Sequence, residues 1–151
     1  MSKSNALETA WLALLFNNTD IPDIGDAGGL RGSVAAGSLY LSLHTADPGE
    51  AGTQATSEIS YTGYARQGVA RTAGNFAVSG NTMSLNVNVD FPEMSGGAGG
   101  NVTHFAVGVA AAGATVVLYK GPVTPNILVQ TGVTPRLKGT PSGTPSTISE
   151  D

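Results

Sequence analysis

Residues 38–49 constrain the fold of this chain more than any other stretch. They read Ser-Leu-Tyr-Leu-Ser-Leu-His-Thr-Ala-Asp-Pro-Gly. Leu39, Leu41 and Leu43 alternate with Tyr40, Ser42 and His44. A period of two belongs to a strand, whose successive side chains leave opposite faces of a sheet. Such a strand hides its leucines only if a second layer covers them. The run then stops abruptly. Pro48 holds its own φ and biases Asp47 away from helix, and Gly49 tolerates a positive φ, so Asp47-Pro48-Gly49 predicts a tight turn.

The rest of the chain supplies one helix and a series of short strands. A helix is expected over residues 5–16, with Asn5 as N-cap and Glu8 completing a capping box. Leu7, Trp11, Leu14 and Leu15, with Ala10 between them, form one apolar stripe. That stripe either packs on the β core or docks on a neighbouring subunit. Turn formers at residues 17–20, then Pro22 and Gly25, end the helix. Residues 20–37 are Gly/Ala/Asp-rich with isolated Ile21, Ile24, Leu30 and Val34. The segment is too long to lack a role, and reads either as an extended arm across an adjacent subunit or as a surface loop.

Beyond the Asp-Pro-Gly turn, residues 50–60 are small and polar and predict an exposed loop. Tyr61 and Tyr64 flank Gly63, and residues 65–70 resume an extended pattern with Arg66 and Arg71 exposed or paired. A turn at Gly74-Asn75, a short strand at residues 76–78 and a hairpin turn at Ser79-Gly80-Asn81 follow. Residues 84–91 alternate Leu85, Val87, Val89 and Phe91 with Asn86, Asn88 and Asp90, a second clear strand closed by Pro92. The Gly-rich residues 95–100 are expected to be the most flexible. A strand over residues 103–109 carries Thr103, Phe105, Val107 and Val109 on one face, with His104, Ala106 and Gly108 opposite, where the small residues predict close approach by another backbone. Its partner at residues 115–120 ends at Gly121-Pro122; residues 127–130 and 146–150 are weaker strands, and residues 134–145 read as irregular. The expected class is mainly β: an antiparallel β-sandwich or jelly-roll-like barrel with one N-terminal amphipathic helix, in a single domain over residues 1–151.

Composition narrows the function. There is no cysteine, so neither a disulfide framework nor thiolate chemistry is expected. Charged residues are 12% of the chain, against about a quarter in ordinary soluble proteins. The net charge of −4 and the lack of a basic cluster argue against nucleic acid as a partner. No apolar run approaches membrane-spanning length, and the N-terminus does not read as a signal peptide.

The catalytic inventory is thin. His44 and His104 are the only histidines, and with Asp47 they would hold a metal if their strands were neighbours; hydrogen-bonded structural histidines are the commoner outcome. No nucleophile elbow, phosphate-cradling loop or zinc-protease helix is present. Glu50, Glu58, Asp90 and Glu93 sit beside turn residues rather than in a marked cleft. Tyr40, Tyr61, Tyr64 and Tyr119 suit a sugar-binding surface or, more ordinarily, cross-strand packing. No catalytic residue, cofactor or metal ligand is therefore expected, and the chain is not expected to be an enzyme.

Residues 39–50, with Tyr64-Ala65-Arg66-Gln67, Asp90-Phe91-Pro92 and Val102-Thr103-His104-Phe105, resemble a family of small tailed-bacteriophage virion structural proteins. The N-terminal helix and the closing Ile148-Ser149-Glu150-Asp151 extend the likeness over nearly the whole chain; residues 126–145 depart from it in being Pro/Thr-rich. Members are variously labelled tail fibre, minor tail or head-associated proteins. The resemblance implies a virion component. The leading expectation is a capsid decoration (cement) protein on the capsid surface, bridging major capsid protein subunits and neighbouring copies of itself as a homo-oligomer. The alternative is a tail-associated or fibre protein involved in host attachment. In either case Leu7, Trp11 and Leu14 of the helix, with Ile21, Ile24, Leu30 and Val34 of the following segment, are the expected contact residues.

Overall fold

The computed structural model describes residues 2–26, 28–140 and, for the backbone, 147–149. In chain order the elements are α1 (Asn5–Asn17), β1 (Ser38–His44), β2 (Gln67–Ala70), β3 (Phe76–Ser79), β4 (Thr82–Leu85), β5 (Val89–Asp90), β6 (Gly100–Gly108), β7 (Val117–Val129), β8 (Arg136–Leu137) and β9 (Thr147–Ser149). The class is mainly β, with antiparallel sheets and one N-terminal helix, as the alternation predicts. The chain divides into two compact units, each assembled from non-contiguous segments.

The first unit comprises Met1–Ser38, Ala70–Asn88 and Lys138–Asp151. Its sheet has the order β3-β4-β9, and α1 packs against β3 and β4. The helix starts one residue earlier than Asn5 would dictate: Ser4 is the N-cap, its hydroxyl accepting the Leu7 N–H at 3.3 Å. Glu8 thereby falls a position too far along to close a capping box. The buried face also differs from the expected stripe. Glu8, Leu12 and Phe16, at a spacing of four, turn inward, and the Phe16 ring lies 5.1 Å from that of Phe76. Leu7 and Trp11 stay exposed and Leu14 and Leu15 half-buried. Phe16 is seated on an aromatic partner, with the Trp11 side turned to solvent.

β3 and β4 form the predicted hairpin, with Gly80 alone in its loop at a positive φ of 59°. The strand expected over residues 84–91 is instead divided between β4 and β5. Asparagine side chains explain the break. Asn86 Nδ2 donates to Ala73 O at 2.9 Å, and Asn88 Oδ1 accepts the Gly139 N–H at 2.9 Å, so both bond to loop backbone outside the sheet.

Residues 20–37, one reading of which was an extended arm, close on themselves instead. Ile21 and Leu30 exchange both backbone hydrogen bonds, at 2.8 and 2.9 Å, and Asn18 bonds to Ser33 through both ends of its amide. Arg71 fastens the loop to the helix end. Its guanidinium donates to Leu14 O and Leu15 O, at 2.6 and 2.5 Å, and to Ser33 Oγ and Ala36 O. Those carbonyls belong to the last turn of α1, which leaves its C=O groups unmatched and favours a cation. Ala27, within this loop, lies outside the described residues, as do residues 141–146 and 150–151 of the expected C-terminal segments.

The second unit comprises Leu39–Val69 and Val89–Leu137. Its sheet order is β2-β1-β6-β7, and a short β5–β8 pair stands apart from it. Leu39, Leu41 and Leu43 are all buried, and the Asp47-Pro48-Gly49 turn forms with Asp47 Oδ1 accepting the Gly49 N–H at 2.8 Å. The other face of β1 is not exposed either: Ser42 and His44 are fully buried. β7 runs straight through Gly121-Pro122, where a strand end was expected. It is an edge strand, where proline is tolerated. Opposite Thr103 of β6, β7 places Val123, Thr124, Pro125 and Asn126, a wide bulge that interrupts the edge. Residues 95–100, expected as the most flexible stretch, are held in place: Gly96 O accepts the Thr62 N–H at 2.8 Å, and Gly99 lies against the Val129 carbonyl.

Candidate functional site

A connected set of buried polar side chains occupies the second unit, beside the non-leucine face of β1. Four pieces of chain build it: β1, the loop at residues 53–58, residues 64–66 leading into β2, and the loop at residues 110–115 before β7. Gln54 is fully buried, although its segment reads as an exposed loop. Its Nε2 donates to Tyr40 O at 2.9 Å and to Ser42 Oγ at 3.3 Å, and its Oε1 accepts from Thr115 Oγ1 at 2.8 Å. Gly108 of β6 makes the space, since a Cβ there would lie 2.0 Å from Gln54 Cδ. The small face of β6 thus receives a side chain, not the backbone expected there.

Arg66 and Glu58 form the charged end of this set. The Arg66 side chain is 3% exposed and that of Glu58 16%. Arg66 also donates to Ala110 O and Gly113 O, drawing in the loop before β7. Tyr64 donates its hydroxyl to Glu58 Oε1 at 2.9 Å and accepts the Leu43 N–H at 3.1 Å. Burial holds its phenol pKa well above the usual 10.0. Among the described residues every buried side-chain polar atom has a partner.

His44 is part of the same set. Its Nδ1 lies 2.8 Å from Thr56 O and its Nε2 2.9 Å from Ser42 Oγ. A carbonyl only accepts, so Nδ1 carries the proton and Nε2 accepts from Ser42. Burial lowers its pKa below the usual 6.5, opposed by the bond to Thr56 and the charge of Glu58. His104 is the cross-strand partner of His44, so the strands are neighbours, the first condition for a site with Asp47. Asp47 instead pairs with Lys120 at 3.0 Å, and its pKa is lowered by the Gly49 N–H and then by Lys120. Among the described residues no three His, Asp or Glu side chains are placed to hold a metal. Of the acids weighed as a glycosidase pair, Glu58 pairs with Arg66, Asp90 with Arg136, and Glu50 with Lys120. Tyr61 and Tyr64 pack edge to face with ring centroids 5.2 Å apart, and an open cleft of about 240 Å³ is lined by Gly49, Glu50, Val117, Leu118, Tyr119 and Lys120.

The residues expected to make contacts lie in the first unit and are not gathered into this polar set. Leu7, Trp11, Ile24 and Leu30 are each about 40% exposed, and Val34 stands fully in solvent. Leu14 is half-buried, and Ile21 is buried and bridged to Leu30 through its backbone. In the second unit Val109, Val116 and Leu128 are also exposed, Val109 although alternation places it on the same face as Phe105 and Val107. Gln54 and Thr115 were equally missed; the one available signal was that Ser42 and His44 share a strand face and needed polar partners.

The curated proteins searched contain no match to this chain. A family model described as podophage GP4 fiber I protein gp80 matches residues 2–140, which takes in α1, the whole second unit and all strands through β8. The chain belongs to the podophage GP4 fiber I protein gp80 family.

Proposed function

We propose that this chain is a structural component of a phage tail fibre that works by holding on to other proteins. The family match over residues 2–140 carries the reading. It favours the fibre alternative over capsid decoration. The partners are neighbouring copies of the chain and adjoining fibre or tail subunits, and no substrate is turned over. Contacts run through the exposed apolar residues of the first unit, Leu7 and Trp11 on α1 and Ile24, Leu30 and Val34 on the following loop. The loop is closed by its own hydrogen bonds, so little ordering entropy is lost when it binds. Repeated weak contacts along a fibre add through effective concentration.

Gold-labelled antibody on purified particles tests the location. Label at the tail, with far fewer copies than the major capsid subunit on a stained gel, is the expected result; label spread over the capsid shell overturns it. Trp11→Ala tests the surface: the particles lose the protein while its unfolding midpoint stays nearly unchanged.

A further inference from the structure

The polar set around β1 has the parts of an acyl-transfer site turned on the chain itself. Ser42 and His44 leave β1 on the same face, and the neutral Nε2 of His44 accepts the Ser42 hydroxyl proton at 2.9 Å. Thr56 O orients the ring from the other side, at 2.8 Å from Nδ1. A hydroxyl, a neutral imidazole base and a group that orients the base are what activates a serine nucleophile. The acyl group within reach is the Gln54 carboxamide, whose Nε2 lies 3.3 Å from Ser42 Oγ. Its oxygen already receives Thr115 Oγ1 at 2.8 Å and Arg66 Nη1 at 3.4 Å, donors placed where negative charge develops when a carbonyl is attacked. Ser42, His44 and Gln54 are each fully buried, which keeps out the water that would compete with the serine.

We propose that Ser42 and Gln54 join spontaneously in a side-chain ester. His44 Nε2 takes the Ser42 proton as Oγ bonds to Gln54 Cδ. Thr115 and Arg66 hold the charge on Oε1. The Cδ–Nε2 bond then breaks, and the nitrogen leaves with the proton returned by His44, as ammonia. Oxidation states do not change and no cofactor enters. The reaction happens once per chain, and it ties β1 covalently to the loop at residues 53–58. It stands independently of the fibre reading.

Mass spectrometry of the full-length protein decides it, after incubation folded at mildly alkaline pH. Trypsin releases a peptide bounded by Arg31 and Arg66 that contains Ser42 and Gln54 and no other Asn or Gln, so any ammonia lost from it comes from Gln54. The expected peptide is lighter by one ammonia, gives no backbone fragments between residues 42 and 54, and opens with hydroxylamine to a hydroxamate at Gln54. Ser42→Ala and Gln54→Glu lose no ammonia. A wild-type peptide that keeps its full mass after prolonged incubation overturns the proposal, as does ammonia loss that persists in Ser42→Ala. The wild-type measurement stands even where a variant does not fold.

Discussion

Arg66 grips Glu58 through both carboxylate oxygens, with Nε 2.7 Å from Oε1 and Nη2 2.7 Å from Oε2. The pair lies at the point where residues 53–58, residues 64–66 and the loop at 110–115 meet. Removing one partner strands the other charge in a site that water barely reaches. Arg66→Met is expected to destabilise the protein by about 3–5 kcal/mol. Arg66→Lys is expected to lose much of the same amount, because an ammonium cannot reproduce the two-pronged bond. Urea unfolding midpoints measure both.

Gly108 is glycine because Gln54 fills the place of its side chain. Gly108→Ala is expected to cost about 1–3 kcal/mol by overpacking. Adding Gln54→Ala to it removes the clash, so the double variant should be more stable than the summed single effects imply. A thermal-unfolding double-mutant cycle reads the coupling.

Arg71 satisfies the end of α1 and the loop at residues 20–37 together. Arg71→Ala leaves Leu14 O and Leu15 O without that donor and is expected to cost about 1.5–3 kcal/mol, as for hydrogen bonds to a charged group. The loop should open first, so limited trypsin digestion at Arg31 is expected to speed up more than global unfolding does.

His44 makes stability depend on pH in a definite direction. Its folded pKa is lowered by burial, so the unfolded chain takes a proton first as pH falls through 6.5. Stability is unaffected well above 6.5, declines below it, and stops declining from this source once the folded pKa is passed. His44→Gln should flatten that decline. Asp47 and Asp90, whose folded pKa values are depressed, contribute stability above about 3.8 that is lost in stronger acid. Unfolding midpoints across this pH range separate the two windows.

Where local pattern and packing demand agree, the expected element is the observed one. The leucine alternation of β1, the Asp-Pro-Gly turn and the Gly80 hairpin depend on side-chain parity and permitted φ, both local properties. The misses share a different cause. Asn86 and Asn88 read as the polar side of a strand, and only the loops they bond to reveal them as its end. Pro122 reads as a strand end, and only the sheet order shows that β7 lies at an edge where proline is tolerated. The stripe through Leu7 and Trp11 reads equally as a packing or a docking face, and only Phe76 shows that the helix seats Phe16 and leaves Trp11 exposed.

The sequence by itself determined that the chain is mainly β, that β1 has an apolar face and a sharp exit, and that one helix precedes it. Alternation and turn chemistry act within a few residues of each other, so they can be read along the chain. Tertiary structure alone decided that Gln54, Arg66, Glu58 and His44 belong to one largely buried polar network and that the loop after α1 closes through Arg71. A buried polar group needs its partner at hydrogen-bond distance, and that partner can come from any point in the chain, so only the folded geometry reveals it.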